Sequence, residues 1–365
     1  MEALPAARAL ALGATLLSLL GAGTATGVLA HGATASSSAP GSVHRAEHAP
    51  DRIRVVPGSA HPSAVLATPT ARVTSVRASG RWSGSVDVLD QSAVNAAYWR
   101  SYAPGVSTGI GWTGDDSRYI AGSSSAASRT ATRNAVNYVR SLGGLAPVAF
   151  DSTLNSRSQM TALIMSANKA LSHSPSSSWR CYTRTGAANA GRSNLALAYP
   201  SITSASVVSM YMSEPGGGNK AVGHRRWLMN PFTTSMGSGS TSTANAMTVI
   251  GPTSSTRPNP TWVSWPTAGY FPSTLEPRGR WSLSAGSSAM SFRYASVRVY
   301  RNGTLLRTTK YGVENGYAQP TLVWQVPSSV SRSGYFRVVV SGIRRTGTST
   351  RYTRSYWVHM FTPRQ

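Results

Sequence analysis

The chain has 365 residues, 41% of them hydrophobic and 13% charged, with 35 Lys and Arg against 11 Asp and Glu for a net charge of +24. That length suits about two domains and that apolar content excludes a wholly disordered chain, while the lack of long apolar runs excludes a multi-span membrane protein. The single cysteine, Cys181, excludes an intrachain disulfide and a multi-cysteine metal site.

The positive charge grows along the chain, about +2 over residues 1–90, +9 over 91–255 and +13 over 256–365. Apart from Lys169, Lys220 and Lys310 it is carried by Arg. Such a surface attracts anionic cell-wall polymer or lipid headgroups. Because it is spread rather than clustered, an Arg-biased solvated surface with no selected partner is the favoured reading. Nucleic acid is not an expected partner, because no recognition motif is present.

Residues 1–30 read as a signal peptide: Arg8 begins a weak basic region, Ala9 to Leu20 is apolar, and Val28-Leu29-Ala30 is a small-residue cleavage site, with Ala25 an earlier option. The expectation is a secreted, extracellular protein; an uncleaved N-terminal anchor is the rival reading. Residues 31–89, rich in Ala, Ser and Pro with four His (His31, His44, His48, His61), read as a disordered linker.

A first domain is expected over 90–255. Ala93 to Trp99 is a short helical segment, and a Gly-rich loop follows to Gly122. Within it Gly105-Val106-Ser107-Thr108-Gly109 matches the hydrolase G-x-S-x-G pattern, but loop residues follow where a helix is required, so the match is rejected. Ala131, Ala135, Tyr138, Val139 and Leu142 recur at helical spacing and predict a helix over about 128–142, stopped by Gly143-Gly144. Asp151 predicts an N-cap for a second helix to about Leu171. A third is expected over 204–213, where Pro215 and three glycines forbid continuation. Ala246 to Ile250 reads as a buried strand. Helices followed by strands argue for an α+β domain, and prolines between 252 and 260 mark a hinge.

Residues 256–365 alternate apolar and polar positions and carry an Asn302-Gly303 hairpin signal, which predicts an all-β, Ig-like sandwich. With fifteen basic residues against two acidic ones, and aromatics such as Trp281, Tyr300 and Trp357, it suits polyanions or glycans. A purely stabilising accessory domain is an equal alternative.

One stretch draws these elements together, Glu214-Pro215-Gly216-Gly217-Gly218-Asn219-Lys220-Ala221-Val222-Gly223-His224-Arg225-Arg226. Glu214 is the only Asp or Glu between Asp151 and Glu276. At a helix C-terminus its charge opposes the helix dipole and requires a compensating donor. An ion pair with Arg225 or Arg226 is one reading; a polar site shared with His224 and His173 is the other.

The order of Asn134 through Leu145-Ala146-Pro147-Val148, Asp151-x-x-Leu154, Leu171-Ser172-His173-Ser174-Pro175, Ser193-Asn194-Leu195-Ala196 and Gly223-His224-Arg225-Arg226-Trp227-Leu228-Met229-Asn230-Pro231 resembles the CAP superfamily of cysteine-rich secretory and pathogenesis-related proteins, in its bacterial secreted form. Trp262 to Pro266, Gly269 to Pro272 and Trp281 are similar to the β extension of bacterial members. The resemblance implies an α-β-α sandwich around a cavity lined by two His and two Glu, often able to hold a divalent metal. It assigns His173, Glu214 and His224 as metal ligands and places Ser193, with Asn194 beside it, where the second Glu stands. Zinc is the ion this set would suit, and no other cofactor is expected. Relatives pair a Cys at the place of Cys181 with an earlier one that this chain lacks.

Three functions are consistent with these features. The first is a non-enzymatic binding protein at the cell envelope with a polar, metal-holding cavity. The second is a zinc hydrolase of peptide or cell-wall polymer. In the third, the cavity residues are structural and function resides in the basic β domain.

Overall fold

The computed structural model describes residues 54–56, 80–313, 315–330 and 332–365; the expected signal peptide and most of the expected linker lie outside them. The chain runs through β1 (Arg54–Val56), α1 (Gln91–Ser101), α2 (Pro104–Ser107), α3 (Ala126–Leu142), β2 (Ala149–Phe150), α4 (Ser152–Asn168), α5 (Arg184–Ala190), β3 (Ser193–Leu197), α6 (Ser204–Ser213), α7 (Gly223–Leu228), β4 (Ser235–Ser240) and β5 (Ala244–Thr248). Ten strands follow: β6 (Trp262–Trp265), β7 (Gly269–Pro272), β8 (Arg280–Ala285), β9 (Met290–Ser291), β10 (Ser296–Arg301), β11 (Thr304–Leu306), β12 (Thr309–Lys310), β13 (Thr321–Gln325), β14 (Gly334–Arg345) and β15 (Arg351–Phe361).

The local signals act where expected. Asp151 accepts a hydrogen bond from the Leu154 backbone N–H and starts α4. Thr203 and Ser206 exchange side-chain bonds with each other's backbone N–H and start α6 as a capping box. Helix α4 ends at Asn168, before Leu171, because Lys169 takes a left-handed backbone, φ 48°. The rejected hydrolase motif falls on the four-residue helix α2 and the turn after it, with no strand before Ser107.

Strands β1 to β5 form a sheet in the order β1-β3-β5-β4-β2. Alternation along its central strands divides the core. Leu195, Leu197, Ala244 and Ala246 pack with Ala162, Ile164 and Met165 of α4. Ala196 and Met247 join the larger cluster with Val139 of α3 and Val208 of α6. Helices therefore cover both faces. On β4, a Cβ at Gly239 would stand 2.1 Å from the backbone nitrogen of Gln159, so α4 rests directly on a glycine surface.

The C-terminal region is rich in strands. One sheet runs β11-β10-β14-β15-β7 with β9 paired to β14, and a second runs β12-β13-β8-β6. Trp281 of β8 meets Phe336 of β14 edge to face at 5.2 Å, so residues of the two sheets share a core. The hairpin signal is realised between β10 and β11, where Asn302 and Gly303 both have positive φ, 48° and 85°. Trp281, expected among the binding aromatics, is instead buried and donates its indole N–H to Glu276 Oε1 at 2.7 Å. Trp357 is exposed.

Residues of the helical and strand-rich regions pack into one hydrophobic cluster. The cluster containing Val94, Tyr138 and Tyr211 also contains Trp265, Trp281 and Trp324. Residues before α1 contribute too: Val88 is buried and its carbonyl accepts from the Tyr270 N–H at 2.7 Å. Among the described residues no helix is long and apolar enough to cross a membrane.

Candidate functional site

Glu214 follows the last turn of α6 in a left-handed conformation, φ 52°. That geometry turns the chain back, and after the Gly-rich bend the short helix α7 begins at Gly223. The two segments place Glu214 Oε2 2.8 Å from His224 Nδ1 and Oε1 2.9 Å from the backbone nitrogen of Arg225. Glu214 and His224 are both fully buried. The carboxylate therefore finds its compensating donors in the first turn of α7, where unpaired N–H groups point outward. Tyr211, one turn earlier on α6, stacks on the His224 ring at 5.5 Å and 17°. Its hydroxyl donates to Asn245 Oδ1 at 2.7 Å.

Neither expected arginine forms an ion pair with Glu214. The Arg225 guanidinium donates from Nε to the Met212 carbonyl and from Nη1 to Ser282 Oγ, both at 2.8 Å. Burial pushes this guanidinium down to about 9, opposed by the charge of Glu214 and assisted by that of Arg280. Arg226 donates to the Gln319 carbonyl from Nη2 at 2.8 Å, and its guanidinium lies over the Tyr317 ring at 5.0 Å. In return Arg280 donates to the carbonyls of Glu214 and Gly216. The Gly-His-Arg-Arg segment is thus the joint between the helical and strand-rich regions. A Cβ at Gly223 would stand 2.5 Å from the Tyr317 ring, which shows how closely the strand-rich side covers it.

The other predicted residues lie elsewhere around the sheet. Adjacent on β3, Ser193 and Asn194 point to opposite faces. Ser193 Oγ donates to the Asn189 carbonyl at 2.8 Å, on the side of α4 and α5. Asn194 donates to the His224 carbonyl at 3.1 Å, on the side of α6 and α7. His173 is buried with Nδ1 2.9 Å from the Ala190 carbonyl. Among the described residues no group of three or more His, Cys, Asp or Glu could hold a metal ion. As placed, Glu214 and His224 fit a hydrogen-bonded pair better than a three-ligand zinc centre, since the carboxylate serves two donors and His173 serves a backbone carbonyl. His224 Nε2 points the other way, since it is buried with no hydrogen-bond partner among the described residues.

Cys181 is buried and free, and burial pushes its thiol up, away from the reactive thiolate. Arg140, which no sequence signal marks, is fully buried and donates from Nη1 to the carbonyls of Leu228 and Asn230 at 2.8 and 3.0 Å. It satisfies carbonyls at and beyond the end of α7 and so fixes the motif from the α3 side. Burial, with the charge of Arg257, pushes its guanidinium down to about 9. Arg280 and Ser282 were equally unmarked, since their contacts join residues more than 50 positions apart.

Residues 133–250 match the family model for CAP, the cysteine-rich secretory protein family. No curated protein sequence gives a significant match. Among solved structures, the chain has a likeness to PcoC, a methionine-rich copper resistance protein from Escherichia coli, at 12% identity and TM-score 0.21, over 27% of this chain and 93% of that one.

Proposed function

We propose that this chain, whose residues 133–250 match the CAP family model, is a CAP-type protein that is exported and serves as a non-enzymatic binding protein of the cell envelope. In this reading the Glu214–His224 pair is a structural network and the basic, Ig-like C-terminal region makes the contacts. The observation that carries it is the double engagement of the Glu214 carboxylate, fully buried between His224 Nδ1 and the Arg225 N–H. A carboxylate so occupied and fully buried acts as an internal hydrogen-bond acceptor and is not presented to a substrate. Anionic cell-wall polymer or lipid is the partner class that the charge favours.

The test is incubation of the purified chain with isolated cell envelopes in the presence of zinc. Cosedimentation without released peptide or sugar is expected. Product release that Glu214→Gln abolishes would overturn the non-enzymatic reading.

The buried, unpartnered His224 Nε2 favours a second reading, a zinc hydrolase with His173, Glu214 and His224 around the ion. Calorimetric titration with zinc decides between them. No saturable heat is expected; saturable binding lost in His224→Ala would establish the metal site.

A further inference from the structure

The outer face of the six-stranded sheet carries a different arrangement. In the ladder Tyr300 pairs with Arg337, and Arg337 with Trp357. Two residues along, Tyr335 pairs with His359, and His359 with Tyr270. Residues paired across strands and residues two apart along a strand share a face, so these six side chains occupy one surface. Phe336, Val338 and Val358, at the alternate positions, are buried in the core.

Trp357, Tyr335 and Arg337 are exposed, Tyr300, Tyr270 and His359 are half-buried, and the group is ordered by its own contacts. Trp357 is 59% and Tyr335 is 51% exposed. Arg337 lies over the Trp357 ring at 5.9 Å, and Tyr335 stacks on His359 at 3.8 Å and 20°. His359 also meets Tyr270 at 4.9 Å. Large exposed aromatics on a flat sheet face are unusual without a partner. Their charge is also uncompensated. Strands β10, β11, β14 and β15 contain no Asp or Glu. Arg298 and Arg337 are exposed and form no ion pair among the described residues.

We propose that this face binds an anionic polysaccharide, with sugar rings on Trp357 and Tyr335 and the acidic groups on Arg337 and Arg298. This rests on the envelope-binding reading and names its ligand and surface. The apolar C–H face of a pyranose ring matches a flat aromatic ring, and its hydroxyls match the phenols and imidazole around it. Guanidinium groups bind carboxylate or phosphate through paired N–H donors. A polynucleotide would stack its bases on the same rings, so single-stranded DNA is the rival ligand that the experiment includes. The row of rings and cations crosses four strands, about 14 Å at the spacing of a sheet, room for a short run of sugars.

The experiment is calorimetric titration of the full chain with alginate, polyphosphate, single-stranded DNA and anionic vesicles at matched charge, and with uncharged dextran at the sugar concentration of the alginate. Alginate is expected to bind saturably, and dextran at least tenfold more weakly. The Trp357→Ala, Tyr335→Ala double variant should lose at least tenfold in alginate affinity with an unchanged melting transition, since both side chains are exposed. Arg337→Gln should weaken the salt dependence of binding. The proposal is overturned by no alginate binding, by full affinity in the double variant, or by equal binding of polyphosphate, DNA or vesicles. If wild type and double variant sediment equally with cell envelopes, this surface is wrong and the envelope reading stands. If wild type binds neither envelopes nor alginate, both fail.

Discussion

The backbone N–H of Arg225 serves the Glu214 carboxylate, while the guanidinium of the same residue serves the Met212 carbonyl and the Ser282 hydroxyl. One residue therefore fastens α6 to α7 by its main chain and both to strand β8 by its side chain. This division explains why the acidic residue and the basic pair of the motif do not form the simple ion pair that their proximity suggests. The imidazole takes the remaining carboxylate oxygen, and the arginines are used between regions.

Removing one member of the Glu214–His224 pair leaves the other buried without its partner, which typically costs about 3–5 kcal/mol. Glu214→Gln and His224→Gln are each expected to lower stability by that order. The double variant should lose less than the sum, with a coupling of at least about 1 kcal/mol. Urea denaturation of the four proteins measures it. Additive losses, or a double variant as stable as wild type, would remove the pair from the centre of the fold.

At the joint, Arg225→Gln abolishes two buried charge-assisted hydrogen bonds and is expected to destabilise by about 3 kcal/mol. Ser282→Ala should cost about 1–2 kcal/mol, because it leaves a buried guanidinium nitrogen without its acceptor. The two losses should not add, since they remove the same bond. Two separate thermal transitions in Arg225→Gln, in place of one, would show that this contact holds the helical and strand-rich regions together. Wild-type stability in either variant would refute the joint.

Much of the helical region was legible because its signals are local. Asp151 caps α4, α6 spans 204–213 as expected, and the Asn302-Gly303 pair forms its hairpin, each decided by neighbours in sequence. The motif order likewise brought Glu214 and His224 together. What could not be read depends on distant chain segments. Arg140 reaches carbonyls about 90 positions away, and no periodicity distinguishes it from a solvated arginine on α3. Trp281 and Trp357 look alike in composition, yet β8 turns one inward and β15 turns the other out. Only strand register decides that.

Alkaline pH should destabilise the protein through its buried phenols. Burial holds Tyr102, Tyr138, Tyr211 and Tyr356 protonated, raising their pKa above the ordinary phenol value, with neighbouring tyrosines adding to the shift of the first two. In the unfolded chain these phenols ionise near pH 10. Above that pH the unfolded state binds fewer protons than the folded one, so the contribution present below pH 10 is lost as pH rises, at about 1.4 kcal/mol per phenol per pH unit. Urea midpoints at pH 8, 9, 10 and 11, with phenolate absorbance recorded in parallel, should fall beyond pH 10. Titration of all 15 tyrosines in the folded protein with the ordinary midpoint near pH 10 would contradict this.

Gly239 and Gly237 of β4 should resist alanine, while Gly217 after Glu214 should accept it. At Gly239 a Cβ would lie 2.1 Å from the Gln159 nitrogen and at Gly237 2.3 Å from the Leu154 carbonyl carbon, both main-chain atoms of α4. A helix axis cannot yield as a side chain can, so the helix must lift from the sheet. Gly239→Ala is expected to cost about 3 kcal/mol or more. Gly217, in the bend between Glu214 and α7, has nothing within 4 Å of its Cβ position and no positive φ. Gly217→Ala should stay within about 0.5 kcal/mol of wild type. A neutral Gly239→Ala would mean that α4 stands farther from β4 than these contacts require, and circular dichroism melts of the two variants side by side test it.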